Sequence, residues 1–105
     1  MDMNRLAQEL EEVSVGYASQ NGIERDSNWF TLKLHEELGE LTQPYLMKTG
    51  QARRKGLTDA QIEMTFQAEI ADVFAHVLLL AKYHDVDVIE AVEDKWLRWH
   101  PSRQL

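Results

Sequence analysis

The chain contains no cysteine. That excludes disulfides, a thiolate nucleophile and a thiolate zinc site. Basic residues are also scarce: 11 Lys and Arg stand against 18 Asp and Glu, for a net charge of −7. A duplex-binding surface needs clustered cations to displace counterions, so no polynucleotide partner is expected. Long apolar runs are missing too. None approaches the roughly 20 residues that span a bilayer, so no membrane association is expected. The opening MDMNRLAQELEE is polar and acidic, unlike a signal or transit peptide. These absences together point to a cytoplasmic protein. There is no internal repeat, low-complexity tract or interdomain linker, and no convincing strand-like alternation.

What remains is helical periodicity. A chain of 105 residues supports one domain with one modest core, spanning residues 1–105. Met3, Leu6, Leu10, Val13 and Tyr17 recur at spacings of three and four, one stripe of a first helix that stops at Asn21-Gly22. A second helix starts near Ser27 or Asn28 and carries Phe30, Leu34, Leu38, Leu41 and Tyr45. Pro44 lacks an amide donor, which predicts a kink near Gln43 or a short break. Gly50 to Gly56 reads as a mobile basic loop around Arg53, Arg54 and Lys55. Thr58 and Gln61 match a capping box, so a third helix begins there and runs through Phe66, Ile70, Val73, Phe74, Val77, Leu78 and Ala81. VFAHVLLLA is apolar on nearly every side, as suits a central helix or one buried by a second protomer. Asp87 and Glu90 form a capping-box-like pair for a fourth helix with Val88, Val92, Trp96 and Trp99. The residues from Pro101 onward are expected to fray. The expected fold class is all-α.

Acids interrupt two of these apolar stripes. Glu37 and Glu40 lie about 60° apart on one helix face and about 4.5 Å apart along the axis. Glu69 and Asp72 share that relation on the third helix, and Glu36 flanks the first pair. Packed antiparallel, the two pairs would face each other across a gap fit for a divalent cation. Such acids repel one another and lose solvation unless something neutralises them. Oxygen-only ligands favour Mg²⁺ first and Mn²⁺ next. A di-iron bundle would show Glu-x-x-His motifs, which are absent here. His76, one turn beyond Asp72, could support the ligands from behind, but a satisfied core histidine is the favoured reading. The competing reading of the acids is a solvated helix face bridged to Lys33, Lys48 or Lys82.

Glu36-Glu37-x-x-Glu40, then 28 residues, then Glu69-x-x-Asp72, resembles the signature of the MazG-like, all-α nucleoside triphosphate pyrophosphatases. LHEELGEL, EIADVFAHVLLLA and VDVIEAVEDKW agree with it, and the likeness covers about residues 28 to 99. The resemblance implies a Mg²⁺-dependent hydrolase that cleaves a nucleoside triphosphate between its α and β phosphates, in nucleotide pool sanitation. It also implies a four-helix core that assembles as a homodimer or homotetramer. By matching positions, Glu37, Glu40, Glu69 and Asp72 would hold Mg²⁺, and Glu36 would orient or deprotonate the attacking water. Lys33, Lys95 and Arg98 are candidate phosphate contacts, and Trp29 is a candidate to stack the base. The fourth helix departs from the pattern: Asp94-Lys95-Trp96-Leu97-Arg98 stands where many relatives carry an Asn. Phosphoribosyl-ATP pyrophosphohydrolysis and a non-catalytic helical binding module are the alternatives.

Overall fold

Each helix begins where a side chain satisfies amides that have no helical partner. The computed structural model describes residues 1–103; Gln104 and Leu105 lie outside the described residues. α1, Met3–Asn21, starts at Asp2, whose carboxylate accepts from the Arg5 amide at 2.8 Å. It stops at Gly22, left-handed at φ 63°. α2, Ser27–Lys48, is capped by Asp26, which accepts from the Trp29 amide at 2.8 Å. The cap is thus one residue ahead of Ser27 and two ahead of Asn28, the positions expected from sequence. α3, Asp59–Tyr83, opens on the complete Thr58–Gln61 capping box. α4, Val88–Lys95, is capped by Asp87, which accepts from the Glu90 amide. The chain is all-α, with no strand among the described residues.

α2 and α3 form an antiparallel hairpin. Lys48 meets Glu63 at 2.5 Å near the loop end, and the Phe30 and Tyr83 rings meet at 4.9 Å near the other. Phe30 is fully buried. α2 continues through Pro44 with no break. Proline removes the amide that would bond the Glu40 carbonyl, but Pro44 is buried and only one turn follows it. Between the helices, Arg54 of the basic loop pairs with Asp59 at the start of α3.

α1 packs on α3. Its inward residues are Leu6, Ala7, Leu10, Ser14 and Ala18. Val13 is 71% exposed and Tyr17 is half-exposed, so the predicted stripe rotates off the core along its second half. Arg25 holds the opposite edge. Its guanidinium pairs with Glu11, donates to Ser14 Oγ at 3.2 Å and lies 5.2 Å from the Phe30 ring centroid. Arg25→Ala leaves half-buried Glu11 and buried Ser14 without that partner. It is expected to lower unfolding stability by about 2 kcal/mol, read by urea titration. A loss under about 0.5 kcal/mol, the scale of an ordinary surface change, would show that Arg25 does not clamp α1.

α4 ends at Lys95 instead of running to Trp99, and a 3₁₀ turn, Leu97–Trp99, follows. It contacts mainly that turn, not the body of α1–α3. Trp96 is 69% exposed. Within the segment expected to fray, Pro101–Arg103 forms a second 3₁₀ turn, with Arg103 reaching Glu93 at 3.5 Å, and the remaining two residues lie outside the described ones. α3 is also long and apolar enough to cross a membrane, a property that counting consecutive apolar residues did not register.

Candidate functional site

Midway along the hairpin the apolar seam gives way to carboxylates. Glu37 and Glu40 project from α2 one turn apart, and Glu69 meets them from α3. One oxygen from each of Glu37, Glu40 and Glu69 lies within 4.8 Å of the others. Glu37 is buried and its two neighbours are half-buried. Asp72 is exposed at the edge of the group, yet its charge acts on both Glu37 and Glu69.

The electrostatics are unfavourable for the acids alone. Burial pushes the Glu37 carboxyl up to about 6, and the Glu40 and Asp72 charges push the same way. Lys33 works against them, with its Nζ 3.9 Å from Glu37 and 3.3 Å from Glu36. Burial also raises Glu69, followed by Asp72 and Glu40. Glu37 Oε2 and Glu69 Oε2 are buried and accept no hydrogen bond. Buried polar atoms in folded proteins almost always have partners, so two orphans in one cluster call for one. A donor set made only of carboxylate oxygens suits a hard dication such as Mg²⁺ or Mn²⁺. The residues present fit that group.

Two cavities flank the cluster. One, about 340 Å³, lies between α1 and the hairpin; Glu37, Asp72, Lys33, Trp29, Tyr17 and His76 are among the residues lining it. The other, about 280 Å³, is lined by Glu40 and Glu69 together with Gln43, Pro44, Met47 and Leu57. The acids therefore sit between a partly aromatic chamber and a second chamber towards the loop.

The other sequence candidates divide by position. Glu36 is half-exposed and held by Lys33 on the flank of the cluster. Trp29 borders the aromatic chamber, edge-on to Phe30 at 5.0 Å and to His76 at 6.3 Å. Lys95 lines a different, apolar groove with Thr31, Val77 and Trp96. Arg98 lies 5.1 Å from the Trp99 ring on the 3₁₀ turn. Neither of these cations borders the two chambers beside the acids.

His76 corrects the sequence reading. It is not a satisfied core histidine: Nδ1 is buried without a partner, and Nε2 lies 3.9 Å from Glu37. Burial, then Lys33, hold its pKa below the ordinary value. Its spacing of four from Asp72 had marked it as a residue that could stand behind the ligands, the reading that was not favoured. Tyr17 was missed as a chamber residue because periodicity assigned it to the core stripe.

No family model, curated protein or solved structure matches this chain.

Proposed function

We propose that the chain is a Mg²⁺-dependent nucleoside triphosphate pyrophosphohydrolase, releasing a monophosphate and pyrophosphate. The observation that carries this reading is the convergence of Glu37, Glu40 and Glu69, with two buried oxygens left without partners. Acids so placed weaken the fold unless they have a task that needs them charged and close together.

In this proposal Glu37, Glu40, Glu69 and Asp72 hold Mg²⁺, with Mn²⁺ the second choice. When bound, the ion offsets phosphate charge and lowers the pKa of a coordinated water. Glu36 stands outside the tight group, reachable by solvent, and accepts a proton from the attacking water or orients it. Lys33 bridges Glu36 and Glu37 and is positioned to exchange that pairing for a phosphate oxygen. Trp29 offers a ring beside the site on which a base can stack. Lys95 and Arg98 remain candidate phosphate contacts only if α4 moves or a second chain brings its own copy. Phosphoryl transfer asks mainly for position and charge stabilisation, which these groups supply.

A panel of canonical and modified nucleotides, incubated with the protein and Mg²⁺, tests the proposal. Pyrophosphate release should exceed phosphate release for at least one nucleoside triphosphate and vanish with chelator. A full panel left intact would favour the non-catalytic module, and turnover of phosphoribosyl-ATP alone would favour the histidine-synthesis chemistry.

A further inference from the structure

The two oxygens of Glu37 are in different situations. Oε2 is buried and accepts no hydrogen bond. Oε1 is faced by two nitrogens, one from each helix of the hairpin. Lys33 Nζ approaches from α2 at 3.9 Å, and His76 Nε2 approaches from α3 at 3.9 Å. Such distances are too long for hydrogen bonds, so the carboxylate is bracketed but not yet fixed. A carboxylate that binds a cation is aimed well only if its remaining bonds are held. The partners of metal ligands are commonly worth roughly 10–100-fold in affinity.

Lys33 is a poor holder. Its Nζ lies closer to Glu36, at 3.3 Å, and its stem is long and flexible. In the proposed hydrolysis it leaves these acids for a phosphate oxygen. His76 is better suited on four counts. It follows Asp72 by one turn of α3, about 40° around the axis, so it shares the face that carries the acids. Its side chain is only 16% exposed, and Trp29 lies edge-on to its ring at 6.3 Å. A ring on a short stem loses less freedom than a lysine when it is held in place. Nδ1 has no hydrogen-bond partner, so no other bond ties the ring away from Glu37.

We propose that His76 is a positioning residue for the metal centre: it donates its Nε2 proton to Glu37 Oε1 and leaves Oε2 for the ion. A carboxylate only accepts, so the ring nitrogen that faces it is a donor whether the imidazole is neutral or charged. The bond forms when the ring and the carboxylate close by about 1 Å, and contacts of this kind often tighten only in the loaded site. Glu37 then no longer depends on Lys33, which is free to meet substrate phosphate. This inference rests on the metal site of the proposed function.

Mn²⁺ binding, followed by the electron spin resonance signal of the free ion, tests it without turnover. His76→Leu keeps a side chain of similar bulk and removes the donor. It should weaken Mn²⁺ binding about tenfold and should melt in chelator no lower than the parent, because a buried group without a partner is lost. His76→Gln places an amide N–H at a similar reach and should recover affinity to within about threefold of the parent. In His76→Leu, half-maximal pyrophosphate release should need about ten times more Mn²⁺, while the rate at saturating Mn²⁺ stays within about threefold of the parent's. A loss of packing alone would lower the rate at every metal concentration. Equal Mn²⁺ affinity in the parent and His76→Leu would overturn the proposal and leave the metal site standing. So would equal losses in His76→Leu and His76→Gln, which would assign the effect to packing. A parent chain that bound no Mn²⁺ would remove the site and the role of His76 together.

Discussion

Glu40→Gln should fold as the parent does and lose on the order of 100-fold of pyrophosphate release. Asp72→Asn should do the same. Each change keeps the shape of the side chain and removes the negative oxygen that would bind a cation. The expected size follows from charge stabilisation of several kcal/mol by a bound metal, with each factor of ten in rate worth about 1.4 kcal/mol. The two substitutions differ in one respect. Glu40 belongs to the tight group of three, whereas Asp72 is exposed at its edge. Added Mg²⁺ should therefore restore more of the rate to Asp72→Asn than to Glu40→Gln. Circular dichroism would establish that both variants retain their helices. Parental turnover in both would remove the proposed centre.

Glu37→Gln should make the metal-free protein more stable while abolishing activity. The Glu37 carboxyl has an ordinary value of 4.5 and rises to about 6 in the fold. Between those pH values the folded chain holds more proton than the unfolded chain. Metal-free stability therefore falls as pH climbs from 4.5 to 6, and this group's cost is complete above that. The full cost is about 2 kcal/mol. Glu69, also raised, acts in the same direction. His76 acts oppositely: its value lies below 6.5, so its cost grows as pH falls through that range and is absent at pH 7.5. At pH 7.5 in chelator, Glu37→Gln should thus melt higher by about 8 °C. Mg²⁺ should raise the parent's melting temperature at pH 7.5, and less at pH 5, where protons compete for the same oxygens. It should do little for Glu37→Gln. Identical melting of parent and variant in chelator, with no response to millimolar Mg²⁺, would mean that the acids are neither strained nor ligands.

The acid cluster was legible in the sequence because its members break a pattern. Glu37, Glu40 and Glu69 interrupt apolar stripes that continue on either side of them, and the antiparallel hairpin turns that interruption into one cluster. Helix starts at Thr58 and Asp87 were legible for a local reason: a cap acts on amides within three residues. Asp26 was passed over because Ser27 and Asn28 are also good caps, and only the chain path selects among neighbours. Val13 and Tyr17 were misplaced because periodicity defines a stripe but not the clamp that rotates it. Arg25, eleven residues beyond Ser14 in the chain, holds the opposite edge here. His76 was misjudged in the same way: its neighbour Glu37 comes from the other helix.

Local spacing alone determined that this chain is helical, where most helices begin, and which acids share a face, because caps and the 3.6-residue repeat act over a few residues. The tertiary structure alone decided that three of those acids crowd within one ion's reach, that Lys95 and Arg98 lie away from them, and that one side of the hairpin stays bare. These outcomes depend on how separate helices are rotated and placed against each other. Those rotations come from contacts between residues far apart in the chain, which no short stretch of sequence contains.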